Sequence, residues 1–288
     1  MTSPTWIRRA ACATLACLAT AAAVAQTVPL ADPAFTDAIT EQLRTALPDE
    51  HVVVVGPQRL TIGNAGAAVS LGRLWQFCQA NATRCDAEAA RFVAAVTRSF
   101  QDMNRPPERA QVRVAVRAVA TAQAYEAHSR GTGLGLQVHP FLADMVSTVV
   151  IDSPTSVRWA SNKDLDALKL DAAAMLSLAL ANTHAQMQPL VSVATPAPKG
   201  KIGAIDGSDA YTASRLLYLQ DWAPLAKAQD GVLVVVAPRP TTLLYVGDTS
   251  PESIAALRAF AHERAAGAPD AIGETLLRWT PEGWKTLP

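Results

Sequence analysis

The chain predicts an α+β protein, with a mainly antiparallel sheet built from strand pairs and single helices between them. Three observations carry this. Strand-like runs come mostly in adjacent pairs joined by short turns, such as Met145–Ile151 with Val157–Ala160 and Gly231–Ala237 with Thr242–Val246. Helical patterns with cap and stop signals stand singly between those pairs. Half of the residues are hydrophobic and 17% are charged, which suits a folded core and excludes general disorder. Paired strands disfavour a doubly wound parallel sheet, whose strands alternate with helices. No repeat of 20–50 residues is visible.

The first 25 residues read as a secretory signal peptide. Arg8 and Arg9 form a positive start, Ala10–Ala22 is uncharged and apolar, and Ala23-Val24-Ala25 is a small-residue cleavage site. Cleavage is expected between Ala25 and Gln26, giving a periplasmic or secreted protein. Residues 26–105 then form an N-terminal α/β region and residues 106–288 a C-terminal α+β domain, the two being readable as one continuous domain. The boundary candidate is Asp102–Glu108, with its Pro106-Pro107 pair.

In order, Asp32-Pro33 opens a helix to about Ala46, with Phe35, Ile39 and Leu43 on one face. His51–Val55 and Arg59–Ile62 are strands around Gly56-Pro57. Ser70 is read as the cap of a helix carrying Leu71, Leu74, Trp75 and Cys78, and Asp86 as the cap of the next. Gln111–Val119 is a strand and Tyr125–Gln137 a polar, glycine-rich loop. After the pair at 145–160 come helices at Lys163–Leu168 and Asp171–Met187, with Leu176, Leu178, Leu180 and Ala181 inside. Thr195–Lys201 is a surface loop, Ile202–Ile205 a short strand and Ala210–Ala228 a helix. Following the pair at 231–246, Ser250-Pro251-Glu252 starts a helix to about Ala265. Glu274–Trp279 and Trp284–Thr286 close the chain as a hairpin on which Trp279 and Trp284 pack across the strands.

The stretch PFLADMVSTVVIDSPTSVRWASNKDLDALKLDAAAMLSLALANTHAQM resembles the signature of the YtpQ-like family of uncharacterised bacterial proteins. Asp152 ends a strand, Pro154 sits in the turn, Asp164-Leu165 starts a helix and Ala179-Leu180-Ala181-Asn182 ends one. The blocks GSDAYTASRLLYLQDWAPLAKAQDGVLVVVAPRPTTLLYVGD and LLRWTPEGWKTL are similar to the same family, so the resemblance spans about residues 70–288 in patches. It implies a fold and no defined activity. The chain differs from that family in its leader, in its cysteine pair and in the Thr195–Lys201 loop.

Charge narrows the partners. Arg8 and Arg9 leave with the leader, so the mature chain carries 23 basic against 25 acidic groups. That balance offers no footprint for nucleic acid and no polybasic membrane patch. After cleavage no membrane span is expected: Val52–Val55 and Val232–Ala237 are strand-length, and Ala172–Ala181 is soon interrupted by Asn182, Thr183 and His184.

Cys78 and Cys85 remain in the mature chain, and an oxidising compartment favours a disulfide between them. A continuous helix would hold them about 10 Å apart, so the bond requires a break, which Asn81 is placed to supply. The other reading is two unbonded thiols on one helix face. No cofactor or metal is called for. His51, His128, His139, His184 and His262 are scattered, and the cysteine spacing is not that of a zinc site. Gly131–Gly135 lacks the rest of a phosphate loop, and Asp206-Gly207-Ser208-Asp209 lacks the rest of a calcium loop, leaving a turn whose Ser208 or Asp209 caps the next helix.

No catalytic constellation is visible, so enzymatic activity is not the first reading. The one polar patch that suggests chemistry is Tyr211, Ser214 and Arg215, which share a face if their segment is helical. The first reading of function is an exported binding or interaction module for a protein partner or a small ligand. The alternatives are a hydrolase with a non-standard site at that patch and a structural or envelope-stress protein without a ligand. A pocket gathering Asp152, Asn182, Ser214 or Arg215 would mark a site.

Overall fold

Alternating and capped segments fold into an α+β arrangement in which every strand pair is antiparallel. The computed structural model describes residues 28–63, 67–129 and 135–288. The expected leader and cleavage site, Gly131–Leu134 and the side chain of His128 lie outside them. The chain divides into two compact units, residues 1–92 and 93–288.

In the first unit, α1 (Asp32–Ala46) buries Phe35, Ile39 and Leu43 completely, one residue per turn. Asp32 is its first helical residue rather than its cap, a position taken by Ala31 without a side-chain bond. The strands β1 (Val52–Gly56), β2 (Arg59–Ile62) and β3 (Ala67–Ser70) form a sheet in that order. The sequence did not signal β3, because Ala67-Ala68 lacks β-branched or aromatic character. On the outer strand β1, Val53, Val54 and Val55 are exposed.

Ser70 ends β3 and does not cap the next helix. Leu71 holds the N-cap position of α2 (Gly72–Ala80), its N–H donating to Gln58 O at 2.8 Å. The chain then breaks at Asn81, whose φ of −141° is not left-handed, and passes through a 3₁₀ turn, Ala82–Arg84. This brings Cys85, the first residue of α3 (Cys85–Asn104), to a Cα distance of 4.7 Å from Cys78, and the two are disulfide-bonded. Asp86 lies inside α3, where it accepts the Val28 N–H at 2.7 Å instead of capping the helix. The division between the units falls within α3, and Asp102–Glu108 belongs to the second unit.

The second unit holds two sheets. In the first, β4 (Val112–Ala118) pairs along its whole length with β6 (Met145–Ser153). The other edge of β6 is shared by β5 (Val138–Leu142) and β7 (Ser156–Trp159), which pair with its two ends. Between β4 and β5, Val119–Ser129 forms α4, so the first part of the expected loop is helical: Tyr125 stacks on Trp159 with ring centroids 4.6 Å apart.

Then α5 (Asn162–Leu168) starts at a capping box in which Ser161 and Asp164 bond reciprocally. Asp164 also accepts Arg158 in two bonds, at 2.7 and 2.6 Å. Burial works against its charge, but these bonds and those from Ser161 prevail and hold the carboxyl below its usual range. Asp171 caps α6 (Ala172–Gln186) through the Ala174 N–H. The fully hidden stripe of α6 is Met175, Ala179 and Thr183, packed on Val112, Val114, Val149 and Ile151, while Leu176, Leu178 and Leu180 are only partly buried.

After the short α7 (Leu190–Val193) comes the second sheet. Its strands are β8 (Gly203–Asp206), β9 (Val234–Arg239), β10 (Thr242–Val246), β11 (Leu276–Thr280) and β12 (Gly283–Leu287), in the spatial order β12-β11-β9-β10-β8. Short α8 (Ala223–Lys227) precedes β9, and α9 (Pro251–Ala265) follows β10. Val234, Val236, Leu244 and Val246 face α9, meeting Leu257 and Ala261. Val235, Ala237, Leu243 and Tyr245 face the other way into the largest core cluster, with Val116, Met145 and Trp222. Burial on both faces explains why β9 reads as an unbroken apolar run. Among the described residues no helix is long and apolar enough to cross a membrane.

The Cys78–Cys85 bond closes a loop of eight residues and yields one prediction. Replacing both cysteines by serine costs the chain roughly 2.5 kcal/mol by chain-entropy reasoning. Urea unfolding with and without dithiothreitol checks this: the native chain loses stability on reduction and the double variant shows no response.

Candidate functional site

The segment expected as one helix, Ala210–Ala228, is three pieces: a 3₁₀ helix at Thr212–Leu217, a second at Leu219–Trp222, and α8. Pro224 supplies a physical reason. It has no N–H to donate, and its ring would collide with the carbonyl four residues back, at Gln220, if the helix were continuous. It is accommodated in the first turn of α8.

A broken helix leaves carbonyls without partners. Here tryptophans donate to three carbonyls of the segment, one of which, Arg215 O, also accepts the Tyr218 N–H at 3.1 Å. The indole N–H of Trp222 donates to Arg215 O at 2.9 Å, that of Trp284 to Leu216 O at 2.8 Å, and that of Trp279 to Leu219 O at 3.1 Å. Trp279 and Trp284 are register partners across the closing hairpin, so one β-turn delivers two of the three donors. Trp284 also meets Trp222 edge-on, with ring centroids 5.5 Å apart.

Shape separates Tyr211, Ser214 and Arg215. Tyr211 and Arg215 line a cavity of about 330 Å³. Ser214 does not: it is fully buried, and its hydroxyl accepts the Val116 N–H at 3.1 Å. That N–H lies on the edge of β4 away from β6, the one strand with which β4 pairs among the described residues. Thr183 does the same for Val114 at 2.8 Å, and Asn182 donates to the carbonyls of Arg109 and Val112. Ser214 and Asn182 therefore converge on β4 as edge seals, and of the four residues considered for a shared pocket only Arg215 reaches the cavity.

The cavity is built from three connections. The end of α6 and the residues after it contribute Gln186, Met187 and Gln188. Gln186 is oriented by Arg113, whose Nε donates to its side-chain oxygen at 2.9 Å. The β8 end contributes Ile205 and Asp206, with Asp206 Oδ1 accepting the Thr242 hydroxyl at 2.8 Å. The turn that follows contributes Gly207, Ser208 and Asp209. Gly207 has no room for a side chain: a Cβ there would stand 1.9 Å from the Thr212 hydroxyl. Asp209 caps no helix. Its Oδ1 accepts the Tyr211 N–H at 2.9 Å, closing an Asx turn that leads into the 3₁₀ segment.

Arg215 is half-buried and donates from Nη1 to Gln188 O at 2.9 Å. Burial disfavours its charge, and Asp209 and Asp221 oppose that effect; guanidinium remains a cation throughout. The Tyr211 hydroxyl is buried beside Asp152. Burial first, and Asp152 second, push its pKa far above that of an ordinary tyrosine, against the pull of Arg113 and Arg117. It stays a neutral phenol at any physiological pH.

The histidines lie elsewhere. His184 pairs with Asp221 at 2.8 Å and stacks on Tyr218, His262 pairs with Glu274 at 2.7 Å, and His139 Nε2 is buried without a partner. Sequence reasoning did not assign Gln186, Gln188, Asp206 or Thr212 to a site. The one available signal was the two aspartates of Asp206-Gly207-Ser208-Asp209 standing just before Tyr211. No family model matches this chain, and neither a curated protein nor a solved structure matches it.

The role found for Ser214 is tested by Ser214→Ala. Removing the acceptor strands a buried N–H, which costs about 1–3 kcal/mol. Urea unfolding is expected to register that loss; an unchanged midpoint would contradict the edge-seal role.

Proposed function

We propose that this chain is an exported binding protein for a small polar ligand, held in the cavity between the end of α6, the β8 turn and the Thr212–Leu217 segment. The observation that carries this reading is the state of Arg215. It is half-buried in a concave site whose lining also holds Asp206 and Asp209, yet among the described residues it forms no ion pair with either. A guanidinium taken partly out of water and left with one backbone acceptor is suited to receive a ligand. The volume, about 330 Å³, sits at the lower end of the range for small-molecule sites.

Export is supported by the leader and by the disulfide, which suits an oxidising compartment. Hydrolysis at Ser214 gains no support from this arrangement. A nucleophilic serine needs an approachable hydroxyl and a neighbouring base, whereas this hydroxyl is buried and engaged with a backbone N–H.

Thermal-shift screening of the mature chain against amino acids, sugars, nucleosides, carboxylates and polyamines tests the reading. A ligand present at a hundred times its Kd stabilises by about 2.7 kcal/mol, a plain rise in Tm. Met187→Trp, which fills the cavity from its partly buried wall, is expected to abolish that rise. A library in which nothing raises Tm, or a rise that survives Met187→Trp, would overturn the assignment.

A further inference from the structure

We propose that the cavity is built for a small zwitterion, with the ligand's carboxylate on Arg215 and its ammonium group at Asp206 and Asp209. The inference rests on the binding reading above and names the ligand class. It starts from which polar atoms are already used. Arg215 has five N–H donors, and the hydrogen bond it makes within the protein runs from Nη1 to Gln188 O. Among the described residues the Nε–Nη2 edge has no acceptor, and that edge matches a carboxylate with two parallel bonds.

The acids are in the complementary condition. Asp206 is engaged through Oδ1 by the Thr242 hydroxyl and Asp209 through Oδ1 by the Tyr211 N–H. Both donors are neutral, and neither aspartate takes part in an ion pair among the described residues. Each keeps its Oδ2 for another donor. These bonds hold the carboxylates in place without cancelling their charge.

Charge and separation then select the ligand. Arg215 and the two aspartates line one cavity and form no ion pair with one another among the described residues, so a molecule that reaches both meets opposite charges. Met187, Val193 and Ile205 supply an apolar wall beside this axis. An α-amino acid has that layout: a carboxylate, an ammonium group and a side chain leaving to one side. Two aspartates against one arginine leave the lining with an excess negative charge, so a basic side chain is favoured and an acidic one rejected.

Isothermal titration of the mature chain with a matched set tests the proposal. L-leucine carries both charges, 3-methylbutylamine only the ammonium group and 4-methylpentanoate only the carboxylate. Leucine is expected to bind at least ten-fold tighter than either, with lysine at least as tight as leucine and glutamate weaker than both. Arg215→Gln should bring leucine down to the level of the amine. The double variant Asp206→Asn, Asp209→Asn should bring it down to the level of the acid. Equal binding of leucine and either single-charge analogue overturns the zwitterion while leaving a small-molecule site. So does silence from the whole set when another compound gives a thermal shift that Met187→Trp removes. Failure of every compound in both experiments removes the binding reading itself. The comparison of the three leucine-shaped ligands uses the unaltered protein, so it stands even if a variant fails to fold.

Discussion

The second unit depends on how a broken helix is kept from being a liability. Between Thr212 and Trp222 the backbone runs in two short 3₁₀ turns, whose i→i+3 bonds have poorer geometry than those of an α-helix and leave end carbonyls to be met otherwise. The indoles of Trp222, Trp284 and Trp279 donate to the carbonyls of Arg215, Leu216 and Leu219, the first of which also accepts the Tyr218 N–H. Each unsatisfied buried carbonyl would cost about 1–3 kcal/mol, a large share of the 5–15 kcal/mol that separates folded from unfolded domains. The tryptophans do two jobs at once, since the same rings fill the core that joins Val116 and Met145 of one sheet to Leu243 and Tyr245 of the other.

The same economy appears at β4. Its outer edge is a row of free donors and acceptors, which proteins must pair or cover. Thr183, Asn182 and Ser214 cover it with single side-chain bonds, two from α6 and one from the 3₁₀ segment. The 3₁₀ segment is thereby fixed on two sides, by indoles against its carbonyls and by β4 against Ser214. Its remaining side, with Tyr211, Thr212 and Arg215, is free to face the cavity. A site wall locked by its own second layer of bonds is what a binding site of fixed shape requires.

Most of the fold was legible because periodicity and caps are local. The Phe35-Ile39-Leu43 stripe, the Ser250-Pro251 start and the hairpin around Pro281-Glu282-Gly283 all form where their patterns place them. The misses have physical causes. Ala67–Ser70 is a strand because β2 offers it an edge, not because its residues favour one. Tyr125 is helical although its neighbourhood is polar, and it stacks on a tryptophan 34 positions further along the chain. Ser70 and Asp86 look like caps, yet the first ends a strand and the second serves Val28. At the site, Tyr211 and Arg215 could be picked out as a pair, but Ser214 could not be separated from them without knowing that the segment is 3₁₀ and that β4 presents a free N–H. Gln186 and Asp206 are placed by the ends of α6 and β8, which meet only in the fold.

The cavity is credible as a site only if the segment behind it is rigid, and the indole bonds are the source of that rigidity. Hydrogen exchange of the tryptophan indole N–H groups, followed by NMR on the mature chain, measures this directly. Trp222, Trp279 and Trp284 are expected to exchange slowly and together, near the limit set by global unfolding, while Trp159, whose indole has no acceptor among the described residues, exchanges fast. Rapid exchange at those three positions would show that the 3₁₀ segment is not held as described, and the account of the site would fall with it.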